Sequence, residues 1–229
     1  MDQKIRTVQL VADPYPPYQY VESGGIRGVD HDIIAAAFRE HGIDMMIRLL
    51  PWDECIQLLK EDKADGIFQI VRTPEREKAY IFSKPLRAAK TVIYKRPEDP
   101  VRFVKNIDFW EQLKKYRLGV VKGYSYNPLI DSLGEPSKME VASQEALLTG
   151  LTRGEFDLAV IDWGVAKYLA NKMGIRDIER AEGYEIKREL HVAFQRNRDE
   201  IADRFNSGLD AVKEEGIYDS IFESYGLAP

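Results

Sequence analysis

Asp65-Gly-Ile-Phe-Gln-Ile-Val-Arg-Thr-Pro-Glu-Arg76 is the stretch whose reading decides the fold. It opens as a short apolar run bounded by Gly, which predicts a buried strand over Asp65–Ile70. It breaks into a polar turn and ends on an arginine at the start of a helical turn. An arginine so placed is an always-charged fork that matches a carboxylate with two parallel hydrogen bonds. Two readings stand at this point: Arg76 holds the carboxylate of a small ligand, or it is a surface arginine in a charged segment.

Working outward, the same alternation of elements surrounds the stretch. Residues 4–12 predict a strand that runs into Asp13-Pro-Tyr-Pro-Pro-Tyr18, where three prolines in four residues enforce a rigid loop at a strand end. That loop presents tyrosines either to a ligand or to the edge of a core. Glu22–Gly28 is turn chemistry. Asp30 or Asp32 is placed to cap a helix with Ile33, Ile34, Ala37 and Phe38 on its apolar face, closed at Gly42. Met45–Leu50 predicts a second strand, and Pro51 opens a helix carrying Trp52, Cys55, Ile56 and Leu59. The order β-α-β-α-β implies a parallel sheet with right-handed crossovers.

Downstream, Ala88–Lys95 predicts a long strand and Trp110–Tyr116 a weak helix. The β-α-β-α-β layout then recurs: a strand at Arg117–Val121, the loop Lys122–Pro128, a strand at Met139–Ala142, a helix capped by Ser143, and a strand at Phe156–Ile161 ending in Asp162-Trp163. Glu189–Phe194 predicts a further strand, and two helices separated at Gly216 close the chain. Two such units joined by two connections imply two lobes, 1–88 with 192–229 and 89–191, with hinge strands near 86–92 and 187–193. Ligands of open α/β sheets bind beyond the carboxyl ends of the strands, so loops 13–18, 69–76, 122–127 and 162–163 are expected to form one cleft.

Composition narrows the function classes. The chain has 229 residues, 44% hydrophobic and 31% charged, which is globular and argues against disorder. A net charge of −5 without a dense basic cluster argues against nucleic acid as a partner. The one cysteine, Cys55, excludes an intrachain disulfide and falls on an apolar helix face. No Cys/His constellation suggests a metal, and no cofactor motif is present. The three histidines, His31, His41 and His191, show no pairing with a serine or acid that would suggest catalysis. No apolar run is long enough to span a bilayer, and the first residues have no signal-peptide core. The chain is therefore cytosolic, or its export signal is absent from this sequence.

The ordered set Asp13-Pro-Tyr-Pro-Pro-Tyr, Gly28-Val-Asp30-His-Asp32, Trp52 before Leu58-Leu59, Asp65-Gly-Ile-Phe, Thr73-Pro-Glu-Arg76, Phe82-Ser-Lys-Pro85, Gly119-Val-Val-Lys-Gly123 and Asp157-Leu-Ala-Val-Ile-Asp162 resembles the family 3 extracellular solute-binding proteins, the polar amino-acid receptors of ABC importers. The resemblance covers about residues 4–226. It implies an α/β, two-lobed type 2 periplasmic-binding fold, a periplasmic or extracytoplasmic location, a monomer that meets ABC permease subunits, and a small carboxylate-bearing ligand bound without chemistry. It also implies roles: Tyr15 stacks on the ligand, Trp52 forms a wall, Arg76 takes the α-carboxylate, Asp162 takes the α-ammonium, and backbone N–H groups of Gly123, Tyr124 and Ser125 help grip the carboxylate. Asp13, Phe68, Gln69, Arg72 and Thr73 complete the expected ligand-binding set.

Three departures bear on the ligand. The turn Gln69–Arg72 is one residue shorter than the family pattern. Arg72 adds a cation, which either favours a more anionic ligand such as a dicarboxylate or points to solvent. Tyr124 and Tyr126 replace small residues and are expected to shrink the site. Two further readings remain beside the receptor: a ligand-sensing domain of a membrane signalling protein, and an enzyme resembling cyclohexadienyl dehydratases.

Overall fold

The computed structural model describes residues 7–104, 107–124 and 126–229. The part of the first expected strand at residues 4–6 lies outside them. The chain divides into two compact units, residues 1–88 with 188–229 and residues 89–187.

The first unit opens with β1 (Thr7–Ala12), the short hairpin β2 (Tyr20–Glu22) and β3 (Gly25–Arg27), α1 (Val29–Arg39), β4 (Asp44–Leu49), α2 (Trp52–Lys60), β5 (Gly66–Val71), α3 (Pro74–Glu77) and β6 (Tyr80–Phe82). The chain leaves this unit on β7 (Arg87–Lys95). Strands β4 and β5 flank β1, both parallel to it, with Leu10 opposite Ile47 and Gly66. This is the expected parallel β-α-β-α-β order, and Leu10, Val11, Ile67 and Phe68 at its centre are fully buried, as in a sheet covered on both faces.

The second unit contains α4 (Phe109–Leu113), β8 (Leu118–Val121), α5 (Pro128–Asp131), β9 (Lys138–Val141), α6 (Gln144–Thr152), β10 (Leu158–Asp162) and α7 (Trp163–Met173). Strand β8 lies between β9 and β10, parallel to both, and β10 runs antiparallel to β7. Its core gathers Ile93, Leu118, Val120, Leu158 and Val160 with Tyr126 and Tyr184. The chain returns on β11 (Glu179–Gln195), whose last residues pair antiparallel with β5 and β6, and ends in α8 (Asp199–Glu214) and α9 (Ile217–Ser224).

Several local expectations change. Neither Asp30 nor Asp32 caps α1; the cap is Gly28, at φ 132°. A Cβ there would sit 2.3 Å from the Tyr18 carbonyl oxygen, so the close passage of the loop requires glycine. Asp30 is instead buried in an ion pair with Arg87 (2.6 Å). Asp32 accepts from the Tyr225 hydroxyl (2.7 Å) and pairs with His31 Nδ1 (2.7 Å), so His31 does have an acidic partner. Burial acts to raise the Asp32 carboxyl, but the His31 and Tyr225 hydrogen bonds outweigh it and hold it below its ordinary value. Cys55 is fully buried with its thiol pushed up to about 11 by desolvation, an inert core residue as expected. Helix α7 and the first half of β11 are additional to the elements read from the sequence.

Helices α1 and α8 cross at unusually short range. An added Cβ on Gly208 would lie 2.0 Å from the Ala37 carbonyl oxygen, and Phe38, Phe194 and Phe205 interlock beside it at ring-centroid distances of 5.2 to 6.5 Å. The clash is with backbone, which cannot rotate away. Gly208→Ala should therefore destabilise the chain by about 1–3 kcal/mol through overpacking, despite the better helix propensity of alanine. Urea denaturation checks this, and a stability equal to or above wild type would refute the close packing.

Candidate functional site

The site residues fall into two groups, one in each unit. In the first unit, the loop after β1 is tied into one conformation. Tyr15 N donates to Gln19 O (2.8 Å), Tyr18 N to Tyr15 O (2.9 Å), and the fully buried Gln19 side chain donates to Asp13 O (3.0 Å). Tyr15 and Tyr18 stack with centroids 6.0 Å apart and planes 14° from parallel. Beneath Tyr18 lies the Arg87 guanidinium, 3.3 Å from the ring centroid. The Asp13 carboxyl is pushed above its ordinary value by desolvation, only partly opposed by a backbone hydrogen bond.

Strand β5 leads into the second part of this group. In its pairing with β11, Ile70 faces His191 and Phe68 faces Val192, so Gln69 is left over as a bulge. Its φ of 61° is left-handed, a conformation that costs a non-glycine residue about 1 kcal/mol or more. Its Oε1 is buried without a hydrogen-bond partner. Such combinations of strain and unsatisfied polarity recur where proteins meet ligands. Gln69→Gly is expected to raise the thermal midpoint, by relieving both costs, while lowering ligand affinity. A lowered midpoint would show that the bulge carries no strain. Phe68, expected among the ligand contacts, has no accessible surface; β5 is buried on both faces here, since the adjacent Ile67 is equally covered.

After the bulge, Thr73 caps α3 and accepts from Arg76 N (3.3 Å), with Pro74 preset for the first helical position. Arg76 is half-buried. Its Nη1 donates to Val71 O (2.8 Å) and its Cζ lies 5.8 Å from the centre of the Trp52 ring, which itself packs on the unit's core. Among the described residues Arg76 has no carboxylate partner within ion-pair distance. Arg72 does not join it: that guanidinium is exposed and its Nε donates to Glu77 Oε1 (2.5 Å).

In the second unit, Asp162 is 6% exposed and caps α7, with Oδ1 accepting from Gly164 N (2.9 Å) and Val165 N (3.1 Å). These two bonds satisfy otherwise open N–H donors of the first turn of α7. Gly123 is exposed at φ 79° and Tyr124 is 43% exposed. Tyr126 departs from expectation. It turns into the core, where its hydroxyl accepts from Val121 N (2.9 Å), so it fills no binding site. Ser125 lies outside the described residues.

Gln19, Asp30 and Arg87 were not read from the sequence as contributors. A glutamine inside a tyrosine-proline loop and an arginine at a strand start carry no local signal of burial. Among the described residues no acidic or Cys/His cluster could hold a metal, and no helix is long and apolar enough to cross a membrane.

Comparison with known proteins matches residues 8–228 to the bacterial extracellular solute-binding proteins, family 3. A probable histidine-binding protein of Campylobacter jejuni is 24% identical, over 94% of this chain and 83% of that protein. An arginine-binding periplasmic protein of Mannheimia haemolytica is 26% identical, over 94% and 90%. Among solved structures, the arginine-, lysine-, histidine-binding protein ArtJ of Geobacillus stearothermophilus superposes with a TM-score of 0.75 at 22% identity, covering 98% of this chain and 97% of that one. A histidine kinase sensor domain with similarity to periplasmic binding proteins gives 0.78 at 20% identity, covering 99% of each. These likenesses establish the type 2 periplasmic-binding fold.

Proposed function

We infer that this chain, which belongs to the bacterial extracellular solute-binding proteins of family 3, is an amino-acid receptor of an ABC importer, working outside the cytoplasm and without chemistry. Arg76 takes the ligand α-carboxylate and Asp162 the α-ammonium. Tyr15 and Trp52 flank the side chain, and Asp13, Gln69 and Thr73 shape its surroundings. The two units act as lobes, and a zwitterion that contacts both biases them toward closure. The receptor is monomeric and delivers to permease subunits.

The observation that carries this reading is the Arg76 guanidinium, half-buried, fixed by Val71 O and set beside Trp52, with no carboxylate partner among the described residues. A half-buried guanidinium held in place but in no ion pair is a ready partner for a carboxylate, and a ligand carboxylate supplies that partner. The names of the relatives, histidine- and arginine-binding, favour a cationic amino acid, for which aromatic walls add cation–π attraction. The exposure of Arg72 and its pairing with Glu77 weaken the dicarboxylate alternative.

A thermal-shift screen of the standard amino acids and common dicarboxylates tests the reading. The cognate ligand at 100 times its Kd should stabilise the protein by about 2.7 kcal/mol. A screen in which no amino acid shifts the midpoint would reject it. A second reading, a sensor domain of a membrane kinase, is supported by the close superposition on such a domain; it predicts the same ligand response, with the chain joined to a signalling module. Incubation with prephenate tests the enzyme alternative, and no turnover is expected.

A further inference from the structure

A cavity of ≈ 610 Å³ lies within the first unit, and neither Arg76, Trp52 nor Tyr15 lines it. Its walls are the Ser83–Pro85 loop, Arg188 and His191 of β11, and Asn206 of α8, with Arg72 just past the end of β5. Arg72, which stands apart from the Arg76 group, thus has a place here.

The polar groups of this cavity have definite roles. His191 is 3% exposed, and its Nδ1 lies 2.8 Å from the Ser83 carbonyl oxygen. A carbonyl only accepts, so Nδ1 carries the proton and Nε2 of the neutral ring is an acceptor. Asn206 Oδ1 accepts from Lys84 N (2.8 Å), which fixes the amide orientation and leaves its NH2 as a donor. Lys84 and Arg72 are each paired, with Asp210 and Glu77, but these ion pairs are largely exposed. Exposed pairs contribute about 0–1 kcal/mol, so both cations can turn to an incoming anion at little cost. Arg188, which has contacts of its own, adds a third cation, set against one opposing carboxylate on the wall, Glu189.

We propose that this cavity is a second binding site, separate from that of the transported solute, for a small oxyanion that also carries a hydroxyl donor, hydrogen phosphate being the simplest. Its charged oxygens meet the cations and the Asn206 NH2, and its O–H donates to His191 Nε2. Sulfate has the charge but no proton to give, and leaves that acceptor unsatisfied. Occupancy would join Ser83–Pro85, just before the chain leaves the unit on β7, to Arg188, where it returns.

The test is calorimetric titration of inorganic phosphate in mildly alkaline buffer, which keeps imidazoles neutral. Saturable binding is expected, unchanged in Arg76→Ala and weakened about tenfold or more in Asn206→Asp. That variant keeps Oδ1 for Lys84 N and puts a carboxylate oxygen where the NH2 was; Lys84→Met should weaken binding in the same direction and guards against misfolding of the first. Sulfate should bind about tenfold more weakly than phosphate. Non-saturable phosphate binding, or equal binding in Asn206→Asp and Lys84→Met, means an adventitious ion only and overturns the proposal. Sulfate binding as well as phosphate overturns the role of His191. Loss of phosphate binding in Arg76→Ala would place the anion at the solute site, whereas failure of the amino-acid reading alone leaves phosphate binding intact.

Discussion

Arg76→Ala should abolish measurable binding of any carboxylate ligand, with a loss of about 2–5 kcal/mol or more of affinity. The size follows from how the residue is held. Thr73 caps the turn that carries it, Val71 O takes one guanidinium N–H, and the Trp52 ring lies 5.8 Å from its Cζ. The fork is therefore positioned before the ligand arrives, and little conformational entropy opposes pairing. Arg76→Lys should fall close to the alanine variant, because an ammonium lacks the planar fork that meets two carboxylate oxygens in parallel while another N–H stays on Val71 O. Calorimetry with the ligand found by the thermal-shift screen decides both. Unchanged affinity in Arg76→Ala would remove the central assignment, and near-wild-type binding by Arg76→Lys would show that charge alone, without the fork, is sufficient. Asp162→Asn gives a different pattern: its Oδ1 cap to α7 survives while the charge is lost, so binding should fall with little change in stability.

Much of this was legible because the central parallel strands of each unit, β1, β5, β8 and β10, are short apolar runs with a polar break at the carboxyl end. The stretch Asp65–Arg76 is an example: strand, turn, capped helical turn and arginine all follow from local chemistry. What it concealed is the bulge at Gln69. A bulge depends on the register of β5 against β11, whose partner residues lie more than a hundred positions away, and glutamine has none of the glycine or asparagine character that marks a left-handed position. The burial of Phe68 is hidden for the same reason, since what covers a strand residue is set by elements distant in sequence. The position of Tyr126 is hidden because a tyrosine in a loop can as well place its ring in a core as against a ligand. Helix α7 is hidden because Asp162 carries two roles at once, a candidate ligand group and the cap of the helix. The first half of β11, Glu-Arg-Ala-Glu-Gly-Tyr-Glu-Ile-Lys-Arg, is mostly charged and exposed, and lacks the alternation that identifies a half-buried strand.

Arg87→Met should destabilise the protein by about 3–5 kcal/mol, more than any change in an exposed ion pair. Arg87 and Asp30 are 1% and 0% exposed with 2.6 Å between them, so removing the cation leaves a carboxylate in the interior of the first unit. By contrast, the pair of Lys84 with Asp210 is about half exposed on both sides, and breaking it should cost no more than about 1 kcal/mol. The penalty in Arg87→Met comes chiefly from the stranded charge and not from the attraction lost. Asp30→Asn combined with Arg87→Met should therefore be more stable than Arg87→Met alone, an inversion that simple counting of lost contacts does not give. Urea denaturation of the three proteins measures it; a double variant less stable than the single one would show that the ion pair itself, and not desolvation, dominates. Ligand affinity supplies a second readout. The Arg87 guanidinium supports the Tyr18 ring at 3.3 Å, and Tyr18 in turn stacks on Tyr15. The double variant restores charge balance but not that support. It should regain stability while binding the ligand more weakly than wild type, which separates the role of Arg87 in holding the fold from its role in presenting Tyr15.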